Sequence, residues 1–141
     1  KNQIEVNSLQ RKWILINGII IVAQILLGTQ VRENMDHVIQ TLGENAKAQW
    51  IDKLDVIYII HRTFSWLILA SHFYLWQKVR QTALAETLYV KGFVFLIGLS
   101  LISGVIMAYL ALPLGSQPIH LLSSLMLFGL HVHAWLNTRT A

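Results

Sequence analysis

The chain has 141 residues and no cysteine, with 13% charged residues, 55% hydrophobic residues and a net charge of +4. Without cysteine there are no disulfides, iron–sulfur clusters or thiolate ligands, and so little charge is wrong for a soluble globule, where about a quarter of residues are charged. The basic residues are spread over segments flanking apolar runs rather than gathered in a patch, so nucleic acid is not an expected partner.

The first twelve residues are mostly polar and lack the pattern of a cleavable signal, and an opening on Lys1 is expected of a fragment or a processed chain. Span one is read at Trp13–Val31 and closes on Gly28-Thr29-Gln30-Val31-Arg32-Glu33. A loop of about twenty residues is expected next. Its Ala46–Leu54 stretch should place Ala48, Trp50, Ile51 and Leu54 on an interfacial helical turn, with Trp50 as the anchor. Span two follows at Leu54–Trp76 and span three at Gly92–Leu112, which carries Ser100, Gly104 and Ala108 at four-residue spacing, a small-residue stripe that lets helices approach. A short Pro113–Gln117 turn leads to span four at Pro118–Leu136. Each run approaches the roughly 20 apolar residues that cross a bilayer. The expected fold is an all-α membrane protein, with residues 1–141 forming a single four-span bundle.

Lys and Arg set its orientation. Lys1, Arg11, Lys12, Lys78, Arg80, Lys91 and Arg139 fall on one side, whereas Arg32, Lys47 and Lys53 on the other are mixed with acids. Both termini should therefore be cytoplasmic in a plasma (inner) membrane, with the long first loop and the Pro113–Gln117 turn facing outward.

Two segments repeat. Placing Ile60-His61-Arg62-Thr63-Phe64-Ser65-Trp66 over Ile119-His120-Leu121-Leu122-Ser123-Ser124-Leu125 also sets His72 over His131 and Trp76 over Trp135. With the shorter second outer loop allowed for, Gly28 matches Gly104. The chain then reads as two similar helical hairpins, parallel repeats about an axis along the membrane normal. His61 and His120 would face each other at one depth toward the outer face, as suits ligation of a haem iron from both sides. The ordinary alternative is hydrogen bonding in the headgroup region. Arg62 and Arg32 lie at the same end, and guanidinium suits the two haem propionates, although both arginines equally well snorkel to lipid phosphate.

His72 and His131 each fall eleven residues later, three turns plus about 20°, hence on the same helix faces about 16 Å deeper. A second haem there is geometrically conceivable but not expected, because that depth is close to Lys78, Arg80 and the chain end, where interfacial histidines are commonplace. The outer carboxylates Glu33, Asp36 and Glu44 read as solvated loop charges, and no nucleophile triad, phosphate loop or zinc spacing is present.

Taken together, Gly28-Thr29-Gln30-Val31-Arg32-Glu33, His61-Arg62-Thr63-Phe64-Ser65-Trp66, the run from Gly104 to Pro113 and Gln117-Pro118-Ile119-His120-Leu121-Leu122 resemble the haem A synthase family over nearly the whole chain. Members of that family are typically eight-span proteins of two similar four-helix halves, and this chain resembles the C-terminal half. The resemblance implies oxidation of the haem O methyl group to the formyl of haem A for terminal oxidases, with the first half holding the substrate haem. It implies that the second half carries an electron-supplying haem b, with His61 and His120 as axial ligands. It further implies an oxidoreductase that works with the missing N-terminal half or a second copy of itself, among membrane lipid, a quinol donor and haem O synthase. The first half's external cysteine pair and glutamate have no counterpart here, so the monomer alone is not expected to catalyse. The alternatives are a small b-type electron-transfer cytochrome and a cofactor-free structural membrane subunit.

Overall fold

The computed structural model describes residues 3–140 and shows four long helices whose two chain ends are joined by a short ribbon. Strand β1 (Ile4–Val6) pairs in parallel with β2 (Thr138–Thr140), and Arg139 meets Glu5 across it. Helix α1 spans Ser8–Leu42, α2 Val56–Val79, α3 Leu88–Tyr109 and α4 Ser116–Asn137. All four are long and apolar enough to cross a bilayer, and 22 residues of α-helix span about 33 Å against a hydrocarbon core of about 30 Å. The ribbon brings both termini to one end of the bundle.

Local chemistry fixes the helix starts. Asn7 accepts from the Gln10 amide at 2.8 Å while the Gln10 side chain accepts from the Asn7 amide at 3.0 Å, a reciprocal cap. The same Gln10 donates to the Lys78 carbonyl at 2.7 Å and ties α1 to the end of α2. Asp55 caps α2 through the Ile57 amide, and its own amide is held by Asn34 of α1. Gly115, at φ +85°, turns the chain into α4, and Pro118 follows in the first turn, where no amide hydrogen is needed.

Helix α1 is longer than the sequence reading allowed. It continues past span one through about half of the expected outer loop, ending at Leu42 with Gly43 as its cap. The reason is a second apolar stripe. Met35, Val38, Ile39 and Leu42 recur at helical spacing within an otherwise polar stretch. Trp50 packs against them at 3% exposure, its indole N–H donating to the Gly43 carbonyl at 3.2 Å. The anchor expected to face the interface is thus buried in protein. Its segment does form helical turns, two short 3-10 pieces at Glu44–Gln49 and Ile51–Lys53.

Within the bundle α1 packs on α2 and α4, and α4 packs on α3, while α2 and α3 barely touch. The main core lies toward the terminal end, where Ile14, Ile21, Leu75, Val79, Phe93, Leu96, Ile97, Leu127 and Ala134 are buried together. No residue of α2 before Ser71 is buried. The loop half of the bundle therefore surrounds its side chains less completely than the terminal half.

Candidate haem-ligating site

His61 and His120 lie within the first two turns of α2 and α4, so the two helices present them at the same depth, toward the loop end. Their ring centroids are 6.3 Å apart, with planes inclined at 68°. With a metal–nitrogen bond of about 2.0 Å and roughly 1.1 Å from nitrogen to ring centre, imidazoles on opposite sides of one iron would have centroids about 6.2 Å apart. The inclination is no obstacle, since both planes can contain the bond axis at any relative rotation.

The backbone shapes each ring's position in the same way. A Cβ on Gly28 would stand 3.2 Å from His61 Cε1 and 3.7 Å from Nδ1, and one on Gly104 would stand 3.3 Å from His120 Cε1 and 3.6 Å from Nδ1. Each imidazole thus rests its Cε1–Nδ1 edge on a glycine of the preceding helix, which leaves Nε2 as the nitrogen free to ligate. The match of Gly28 with Gly104, read from the repeat, is reproduced in three dimensions.

Four further residues carry the same symmetry and were not singled out as a set from sequence. Ser65 and Ser124, one turn after the histidines, donate to the carbonyls of His61 (3.2 Å) and His120 (2.9 Å). Each also meets a residue one turn before the matching glycine: Gln24 Nε2 donates to Ser65 Oγ at 2.9 Å, and Ser100 Oγ lies 3.0 Å from Ser124 Oγ. The signal was present as four-residue spacings from His to Ser and from Gln24 or Ser100 to glycine.

The halves differ at the ring nitrogens. His120 Nδ1 donates to the Ser100 carbonyl at 2.8 Å, with Ser103 Oγ at 3.1 Å, which fixes the proton on Nδ1. His61 Nδ1 is buried without a hydrogen-bond partner among the described residues. Taken with the two glycine cradles and the ring separation, these features fit a haem held between the rings.

The arginines are less closely engaged. Arg32 bridges α1 to α4 through Gln117, three residues before His120, and pairs with Asp36 at 2.8 Å, its side chain 51% exposed. Arg62 is exposed and makes no hydrogen bond or ion pair among the described residues. His133 contacts the Tyr89 hydroxyl at 3.0 Å, and His37 is exposed, so neither joins the histidine pairs.

His72 and His131 also converge, at 5.0 Å between centroids and 81° between planes, deeper toward the terminal end. Both are buried, contrary to the expectation of ordinary interfacial histidines.

A family model described as cytochrome oxidase assembly protein, COX15-CtaA, matches residues 1–132. No curated protein and no solved structure matches the chain. The matched range takes in α1, α2, α3 and most of α4, and with them both histidine pairs and both glycine cradles. The four-helix membrane bundle therefore belongs to the COX15-CtaA family of cytochrome oxidase assembly proteins, the haem A synthase family.

Proposed function

We propose that His61 and His120 hold one haem b between them, and that the chain is the electron-supplying unit of a haem A synthase. The observation that carries this reading is the 6.3 Å separation of two rings seated alike on Gly28 and Gly104. His61 and His120 would hold the group through two imidazole nitrogens, and the chemistry it would supply there is electron transfer rather than oxygen binding. The chain's own contribution is positioning. The Ser100 carbonyl keeps the proton of His120 on Nδ1, and Gly28 and Gly104 admit both rings beside the helix backbone. Arg32 and Arg62, at the same end, are the guanidinium groups assigned to the propionates; Arg32 approaches by its link to Gln117 on α4.

The resemblance adds the reaction, conversion of the haem O methyl to a formyl, and the wider setting. The reading places both termini in the cytoplasm and the haem toward the outer face of the plasma membrane. Its partners are a quinol donor, haem O synthase, and either an N-terminal half or a second copy. Among the described residues only one histidine pair has the spacing that a haem requires, and the reaction needs a substrate haem in addition to the electron-supplying one. For that reason residues 1–141 act as one half of a two-half unit rather than alone. The same single pair supports a second reading, a small b-type electron-transfer cytochrome.

Expression in a host that makes haem O but lacks haem A synthase tests both parts. The purified monomer should show a low-spin, six-coordinate b-type spectrum and yield no haem A. His61→Ala and His120→Ala should each shift the iron to high spin or lose the haem. Unchanged spectra in both variants overturn the ligation. Haem A formed by the monomer overturns the half-unit reading, and haem A formed only by a dimer supports the enzyme over the cytochrome.

A further inference from the structure

His61 and His120 are seated alike but held unequally. A Cβ on Gly28 would stand 3.7 Å from His61 Nδ1, and one on Gly104 would stand 3.6 Å from His120 Nδ1, so each ring meets its glycine in the same way. The residues just before the two glycines occupy matching positions in the repeat: Leu27 on α1 and Ser103 on α3. Ser103 is 5% exposed, and its Oγ lies 3.1 Å from His120 Nδ1. Leucine offers no polar atom, and His61 Nδ1 is buried without a hydrogen-bond partner among the described residues.

The partners decide which group donates. Ser103 Oγ gives its own hydrogen to the Ser100 carbonyl at 2.9 Å, which leaves its lone pairs to accept. The same carbonyl stands 2.8 Å from His120 Nδ1 and can only accept, so that nitrogen carries the proton. One N–H is thus shared between two acceptors, a carbonyl and a hydroxyl. Acceptors on the far nitrogen of a ligating imidazole make the ligating nitrogen more basic. A more basic axial ligand favours the oxidised iron, and hydrogen bonding of this kind is a lever on the reduction potential of a haem. His120 is accordingly the stronger donor of the two, and Ser103 is the part of that difference carried by a side chain.

We infer that Ser103 is a positioning residue that acts through His120, lowering the reduction potential of the haem by accepting a hydrogen bond from Nδ1. The inference rests on ligation by His61 and His120, and spectroelectrochemical titration of the purified, haem-loaded full chain tests the two separately. Ser103→Ala should keep the low-spin spectrum, because the Ser100 carbonyl still holds the proton on Nδ1, while its midpoint potential rises above that of the parent. Ser103→Thr retains the hydroxyl and should restore the parent value. Ser123→Ala removes a buried hydroxyl that donates to the His120 carbonyl at 2.9 Å rather than meeting the ring, and should leave the potential unchanged. An unchanged or lowered potential in Ser103→Ala, with the low-spin spectrum retained, overturns the role of Ser103 alone. So does an equal rise in Ser123→Ala or Ser103→Thr, the mark of a packing effect, or loss of the low-spin spectrum in Ser103→Ala. A parent chain without that spectrum overturns the ligation, and this inference with it.

Discussion

At Gly28 and Gly104 a helix backbone passes so close to an imidazole that any side chain must displace it. A methyl group added at either position comes within 3.2–3.3 Å of Cε1, so the ring or the helix has to yield by a few tenths of an ångström. Overpacking of this kind costs about 1–3 kcal/mol. Gly28→Ala and Gly104→Ala should therefore weaken haem binding by roughly tenfold to a hundredfold and alter the low-spin spectrum, as the imidazoles tilt away from their present planes. Gly98→Ala and Gly129→Ala meet nothing within 4 Å and should bind haem as the parent chain does. A visible-absorption titration with haem compares all four. Equal affinity in the Gly28→Ala, Gly104→Ala and control variants would show that the cradles do not position the ligands.

Among the elements, α1 does more than span. Its first part packs on α2 and α4, and its extension beyond the apolar run carries Met35 and Val38 to a small second core around Trp50. That cluster lies beside Leu54, just before α2 begins, and Asn34 holds the Asp55 amide at the cap. Removing the indole should cost about 3–5 kcal/mol locally, the range for a buried aromatic cut to alanine. Trp50→Ala should accordingly expose residues 43–55 to protease while leaving α3 and α4 intact. Cleavage patterns read by mass spectrometry check this, and resistance equal to that of the parent would mean the cluster does not hold the loop.

Over the whole molecule, the two hairpins are related but the bundle is not symmetric. The repeat would make the α1–α4 interface equivalent to a contact between α3 and α2, yet α2 and α3 barely meet. A residue difference explains this. Gly18 of α1 lets α4 approach until its missing Cβ would sit 3.5 Å from His131 Cβ, whereas the matching position on α3 is Val94, which is exposed. The bundle is thus closed along α1–α4 and more open along α2–α3, where few residues meet. Orientation belongs to this scale too. A cysteine at Gly43 should react with an impermeant thiol reagent added outside intact cells, and one at Thr82 should not. The reverse pattern overturns the orientation drawn from Lys and Arg.

The sequence by itself determined the four apolar runs, the hairpin repeat and the pairing of His61 with His120. Hydrophobic length and an internal offset are properties of the chain, independent of which helix packs where. It also placed Gly28 over Gly104, because a close approach between backbone and ring can be filled by little except glycine. Tertiary structure alone decided how α1 uses Met35 to Leu42, since that short stripe becomes a helix face only when Trp50 covers it. The ring spacings were likewise set in three dimensions: 6.3 Å for one pair and 5.0 Å for the other, on the same two helices and eleven residues apart. An identical spacing along the chain gave unlike separations because Gly18 of α1 and Phe93 of α3 both pack directly on His131 at the deeper level.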